Sequence, residues 1–275
     1  MNIIAFSSLI YLSLLSNKIN LFGLMATLFI GQNKIFIPEV DSTNSYATAL
    51  LKNVNAIEGT VVYTDYQTNG RGQRGNAWTA ERSMNITLSV VLKPGFLTAQ
   101  KSFYLSKITA LALYDVLTEI TSCSHFDIKI KWPNDILVNR KKIAGVLIEN
   151  SFKEDAIVWS VIGIGMNVNQ INFKNDAAIS LSTLTQKDHN LEQLMDLIFV
   201  YLEKWYLQLR NMNFEFINKA YLQNLFKLNE LSFFEKGTNV FEAIIKGVDE
   251  SGLLLLEMQN GKIENFDVKE IKMVY

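Results

Sequence analysis

The sequence predicts an α+β fold, a mixed sheet with helices packed on it followed by a small all-β unit, and three observations lead to it. Segments that alternate apolar with polar residues, or run β-branched and aromatic, recur between residues 34 and 168. A stretch free of Pro and Gly, Ala99 to Thr121, spaces Leu105, Ile108, Leu111, Leu113 and Val116 as a helix does. After Leu228 the texture changes to short strands broken by the turns Asp249-Glu250-Ser251-Gly252 and Asn260-Gly261.

Taken in order, Lys34 to Val40 reads as a strand, and Asp41-Ser42-Thr43-Asn44 offers capping side chains to a short helix through Ala47, Leu50 and Leu51. Thr60 to Tyr66, Asn85 to Leu92 and Phe126 to Trp132 read as strands, with the long helix between the last two laid over the sheet. Lys142 to Glu149 and Ala156 to Val168 continue the sheet; Asn190 to Arg210 and Phe214 to Phe226 add two helices. The C-terminal strands are Thr238 to Val248, Leu253 to Met258 and Lys262 to Val268. This divides the chain into an apolar extension over 1–31, a large unit over 32–228 and a small one over 229–275. The 275 residues suit such a division, since one domain usually takes ~100 to 200.

Lys plus Arg number 26 against 27 Asp plus Glu, so no global basic field exists to hold a nucleic-acid backbone, and any anion site is local. One cysteine, Cys123, forbids an internal disulfide. With only His125 and His189 beside it, the ligands of a structural zinc site are missing and Cys-His or Ser-His hydrolysis is poorly supplied. A cytoplasmic location with no membrane partner is expected. Met1 to Asn17 carries no charged side chain, yet it is short for a span, holds four serines and lacks the basic start of a secretory signal. Translation beginning at Met25 is the reading favoured here.

Two clusters concentrate the chemistry. Gly70-Arg71-Gly72-Gln73-Arg74-Gly75 matches G-x-G-x-x-G, but Asn76-Ala77-Trp78-Thr79 follows instead of a helix, which argues against dinucleotide binding. As a loop, its glycines let backbone N–H groups approach an anion while Arg71 and Arg74 pair with carboxylate or phosphate. Such a loop is also expected to move as a lid. A solvated basic turn is the bland alternative. The second cluster is Lys131-Trp132-Pro133-Asn134-Asp135, followed by Lys142-Ile143-Ala144-Gly145. Lys131 shares a face with Lys129; Asn134 offers an amide to a base edge; Asp135 suits a divalent cation or a hydroxyl, and a plain turn explains the pair equally well. Gly163-Ile164-Gly165-Met166-Asn167 ends a strand where backbone presses on a ligand or on a packed neighbour.

These blocks together resemble the catalytic domain of biotin protein ligases, relatives of lipoate protein ligases. Asp41 to Asn44, Gln67 to Trp78, Lys131 to Lys142 with Gly145, and Gly163 to Asn167 match in order over about residues 32 to 170. The resemblance implies a sheet like that of class II aminoacyl-tRNA synthetases and an SH3-like β-barrel at the C-terminus. It implies that ATP and biotin, with Mg²⁺, give biotinyl-5′-AMP and pyrophosphate, and that a lysine of a biotin carboxyl carrier domain, of acetyl-CoA carboxylase or a related carboxylase, takes the biotinyl group. Carried over, Ser42, Thr43, Asn44, Gln67 and Gly145 serve biotin, and Arg71, Gly72 and Gln73 close on its carboxylate and the adenylate. Lys142 contacts the carboxylate and acts in catalysis with Lys131 and Arg71. Lys131 lies near the α-phosphate, Arg74 and Trp78 along the adenylate, Asn134 and Asn167 by the nucleotide, and Asp135 near Mg²⁺.

Gln73 stands where some relatives carry a further arginine, which implies a clamp with one positive charge fewer. Nothing before Ile35 resembles the helix-turn-helix that makes some members repressors, so no DNA partner is expected; a homodimer stays among the allowed assemblies. A lipoate or octanoate ligase or transferase, and a non-enzymatic anion- or RNA-binding module, are the competing readings.

Overall fold

A computed structural model describes residues 27–53, 56–121, 125–174 and 176–274, apart from the side chain of Arg74. Cys123 and the readings of the first 26 residues, Met25 included, lie outside it.

Seven strands form the larger sheet: β1 (Lys34–Val40), β2 (Val61–Gln67), β3 (Ile86–Leu92), β4 (Ile128–Lys131), β5 (Asp135–Val138), β6 (Lys141–Lys153) and β7 (Ala156–Met166). Their order across the sheet is β1-β2-β3-β7-β6-β5-β4. Only β1 and β2 run parallel, so the sheet is mixed, as expected. Residue alternation sends Val61, Ile86, Leu88, Val90, Ile162 and Ile164 to one face, where they join the main core. There they meet α2 (Phe103–Ile120), α4 (Leu191–Arg210) and α5 (Phe214–Gln223). The opposite face carries Val62, Val91 and Val161 under Ala47 of α1 (Thr43–Asn53), a much smaller cluster. All seven residues of β3 are buried, because its polar members Thr87 and Ser89 face the α1 side, where the site lies, and not solvent.

The small C-terminal sheet is antiparallel, in the order β11-β10-β9-β8-β12. Its strands are β8 (Leu231–Lys236), β9 (Asn239–Val248), β10 (Leu254–Met258), β11 (Ile263–Phe266) and β12 (Lys272–Val274).

Several boundaries differ from expectation for identifiable reasons. The long helix begins at Phe103, behind a 3₁₀ turn at Ala99–Lys101. The helix from Phe214 stops at Gln223 because the chain turns to pair with β4: Ile130 N donates to Asn224 O, and Phe226 N to Ile130 O, both at 2.8 Å. The strand expected to reach Trp132 ends at Lys131, and Asp135, read as part of a loop cluster, begins β5. The short α3 (Leu181–Thr185) was not anticipated.

Candidate active site

A cavity of about 280 Å³ opens on the α1 face of the sheet. Four stretches of chain bring the side chains discussed below to it, and Thr87, Leu88 and Gly163 to Gly165 of β3 and β7 line it as well. The first is the start of α1, where Ser42 caps the helix by accepting from Ser45 N at 3.4 Å. Thr43 N donates to Gln67 Oε1 at 2.8 Å, tying that corner to the end of β2. Ser42, Thr43, Asn44 and Gln67 all line the cavity.

The second stretch is the Gly-Arg loop, which is folded back on itself. Gly72 N donates to Asn76 O at 2.6 Å and Trp78 N to Gly70 O at 2.9 Å, with a 3₁₀ turn at Gln73–Gly75 between. That local closure replaces the helix a dinucleotide site needs. Arg71 donates from Nη2 to Glu149 Oε2 at 3.0 Å and to Ser45 Oγ at 3.2 Å. Arg71, Gly72, Gln73 and Trp78 line the cavity.

The third stretch joins the β4–β5 turn to β6. Lys131 pairs with Asp135 across the turn, and both line the cavity with Trp132 and Asn134. The ladder between β5 and β6 slips at one point: Ile136 faces Ala144, yet Leu137 faces Lys142. The extra residue, Ile143, is a β-bulge, and it reverses the face on which Lys142 emerges. Without the bulge Lys142 would share the side of Ala144; with it, Lys142 joins Asp135 and Gly145, and its Nζ reaches Asp135 Oδ1 at 2.6 Å. The same ammonium lies 5.7 Å from the Trp78 ring centroid.

The fourth stretch was read as a separate unit: Val268, Ile271, Lys272 and Met273 of the C-terminal segment also line the cavity. The small sheet is thus part of the site wall.

Two residues given roles by the sequence already have protein partners in the cavity wall. Asp135 was matched to Mg²⁺, but its Oδ1 makes no hydrogen bond besides the ion pair with Lys142, and among the described residues no group of three His, Cys, Asp or Glu side chains could hold a metal. A lone carboxylate could hold Mg²⁺ only together with the phosphates of a bound nucleotide, so no step below runs through the ion. Asn134 was matched to a base edge, yet its Nδ2 donates to Val146 O at 2.7 Å, which leaves only the amide oxygen for a ligand. Asn167 is absent from the main cavity. It lies behind Trp78 and Lys142 in a second cavity of about 570 Å³, its Nδ2 donating to Ile179 O at 3.1 Å.

The paired glycines of β7 line the cavity and also make room for packed neighbours. A Cβ on Gly163 would sit 2.4 Å from Asn44 Oδ1, and one on Gly165 would sit 2.3 Å from the Trp78 indole. Both glycines clear space for side chains that themselves line the cavity.

Sequence reading missed Ser89 and Glu149. Ser89 Oγ donates to Asn44 Oδ1 at 2.6 Å and lies 2.8 Å from Thr43 Oγ1. Glu149 Oε2 accepts from Asn44 Nδ2 at 2.8 Å as well as from Arg71. One carboxylate therefore fastens the Gly-Arg loop to the start of α1.

Residues 36–167, which hold all four walls but the last, match the model of the biotin/lipoate A/B protein ligase family. The bifunctional ligase/repressor BirA of Bacillus spizizenii is 33% identical over 255 residues, covering 90% of this chain and 77% of that protein. The chain belongs to the biotin protein ligase family. The biotin--[acetyl-CoA-carboxylase] ligase of Paracoccus denitrificans is 32% identical, covering 82% of this chain and 95% of the relative. Among solved structures, the biotin protein ligase from Aquifex aeolicus in complex with biotin and ATP superposes with a TM-score of 0.73 at 26% identity, covering 88% of this chain and 99% of that one. The mixed sheet with its C-terminal sheet is thus the ligase fold. Among the described residues no helix is long and apolar enough to cross a membrane.

Proposed function

We propose that this biotin protein ligase activates biotin with ATP to biotinyl-5′-AMP and passes the biotinyl group to a lysine of a biotin carboxyl carrier domain, as the Paracoccus relative's name says of acetyl-CoA carboxylase. The observation that carries the reading is the convergence of Arg71, Lys131 and Lys142 from three elements on one cavity.

In the first step a carboxylate oxygen attacks the α-phosphorus and pyrophosphate leaves. Two anions must approach, and negative charge builds on the leaving group. Cations fixed before the reaction offset both costs without reorganising. Arg71 and Lys142 are each held by a carboxylate, Glu149 and Asp135, so their positions are set before substrate arrives. In this reading Lys142 meets the biotin carboxylate and Lys131 the α-phosphate. Ser42, Thr43, Asn44 and Gln67 receive the ring system, supported by the hydrogen-bonded corner they form. The nucleotide extends past Trp78 and Lys142 toward Asn167 in the second cavity. Trp78 and Trp132 shield the mixed anhydride from water. In the second step the amine nitrogen of the acceptor lysine attacks the carbonyl carbon, AMP leaves, and the amine proton is released.

The test is pyrophosphate release from ATP with biotin or with lipoate. Release with biotin supports the reading, and release with lipoate alone overturns it in favour of the lipoate class.

A further inference from the structure

Lys107 is a lysine with 1% exposure, on α2 and outside the cavity. Its Nζ donates to Asn218 Oδ1 of α5 at 2.9 Å, and to Asp249 O and Val248 O at 3.2 and 3.5 Å. The rings of Tyr104, Tyr221 and Phe103 stand 4.8, 5.6 and 5.8 Å from it. An ammonium withdrawn from water is costly unless every proton finds an acceptor, so a buried lysine with three acceptors is held for a reason.

Two of those acceptors belong to the last residue of β9 and the first of the β9–β10 connection, and that turn is tightly built. Leu253 N and Ser251 Oγ both donate to Asp249 Oδ1, at 2.9 and 2.8 Å. Gly252 adopts φ of +97°, and a Cβ there would lie 2.5 Å from the Phe103 ring. The Gly252 carbonyl then accepts from Trp132 Nε1 at 2.9 Å. Trp132 is a wall of the cavity, next in sequence to Lys131. A continuous path of contacts thus runs from a buried charge to the site.

We infer that Lys107 is a positioning residue for the activating cavity: its ammonium holds the turn 249–252 so that the Gly252 carbonyl fixes the Trp132 wall beside Lys131. The inference deepens the ligase reading and rests on it for its effect on turnover. The groups facing Lys107 agree with this role. The Asp249 and Glu250 carboxylates of the turn favour its charge, while burial opposes it and pushes its pKa down to about 8. Burial also raises the pKa of the Tyr104 and Tyr221 hydroxyls, which stay neutral beside it.

Exchange of the Trp132 indole proton, followed by nuclear magnetic resonance in the ligand-free protein, tests the link directly. Losing a charge-assisted buried hydrogen bond is expected to accelerate that exchange about tenfold or more in Lys107→Met. In the pyrophosphate assay KM for ATP should rise about tenfold while kcat changes little, the mark of a wall that binds without reacting. Trp132→Phe, which lacks the N–H, should show the same rise in KM, and Lys107→Met should add nothing to it. Should Lys107→Met not fold, Gly252→Ala forces the same turn against Phe103 and is read the same way. Wild-type exchange of the Trp132 indole proton in Lys107→Met or Gly252→Ala, or additive effects of Lys107→Met and Trp132→Phe on KM, overturns the inference. The exchange measurement needs no substrate, so its outcome is independent of the ligase reading.

Discussion

Gly165→Ala places one methyl group where the account of the site says there is no room. The ideal Cβ lies 2.3, 2.5 and 2.8 Å from three atoms of the Trp78 indole. Carbon atoms in contact stand about 3.5 to 4 Å apart, so the ring must retreat by roughly 1 Å. Overpacking of this kind costs about 1 to 3 kcal/mol, which for a chain of this size lowers Tm by roughly 3 to 10 °C. The functional effect is expected to be larger than the loss of stability. Trp78 separates the two cavities and sits 5.7 Å from the Lys142 ammonium, so its displacement moves the wall against which acid and nucleotide meet. A misplacement of ~1 Å can cost ~10² in rate, and biotin-dependent pyrophosphate release measures it. The decisive comparison is the same substitution in a Trp78→Ala background. There the methyl group finds open space, and Gly165→Ala should cost almost nothing further in Tm or rate. An undiminished penalty in that background would refute the reasoning, because the harm would then come from backbone strain or another neighbour.

Three further outcomes follow from the geometry. Glu149→Ala should destabilise by about 2 kcal/mol in denaturant unfolding; the half-exposed Arg71 pair supplies under ~1 kcal/mol of that, and the buried Asn44 amide left with a weaker partner supplies the rest. Its KM for biotin should rise about tenfold as the Gly-Arg loop loses its latch, on the scale of one lost charge-assisted hydrogen bond. Asp135→Asn should leave the Mg²⁺ concentration that supports half-maximal rate unchanged if that carboxylate serves Lys142 alone; a marked shift would assign it to the metal instead. The third concerns pH. Lys107 titrates near 8 in the folded chain against an ordinary 10.5, so the unfolded chain binds more protons between those values. Stability from this group therefore rises as pH climbs from about 8 to 10.5, by on the order of 3 kcal/mol, and Lys107→Met should abolish that rise.

Local pattern carried much of this structure. β1 begins and ends where the strand read at Lys34 to Val40 does, and the helix that follows starts at the Ser42 cap. The motif residues Ser42, Arg71, Lys131 and Lys142 meet in one cavity as the resemblance implied. What was illegible depends on contacts between distant positions. Ser89 and Glu149 are ordinary strand residues by sequence, and their roles exist only because β3 and β6 carry them to Asn44, 45 and 105 positions away. The bulge at Ile143 leaves no local signal, since Lys141 and Lys142 are both cationic and either reads as the residue facing the site. The packing role of Gly163 and Gly165 could not be read until Asn44 and Trp78 were seen to crowd them. Lys107 was hidden inside an apolar helix pattern, where a lysine reads as solvent-facing until the aromatic rings around it are known.

The most direct measurement is biotin-dependent pyrophosphate release by Lys142→Ala beside the unaltered chain, with folding of both checked by thermal unfolding. Removing one preorganised cation from a site that joins two anions should reduce the rate by ~10² to 10³, while the protein stays folded with Tm lowered by what the unpaired Asp135 carboxylate costs. A folded Lys142→Ala protein that releases pyrophosphate at the parent rate would contradict the account, for the coupling of acid and nucleotide would then not depend on the positive charge the bulge brings into the cavity.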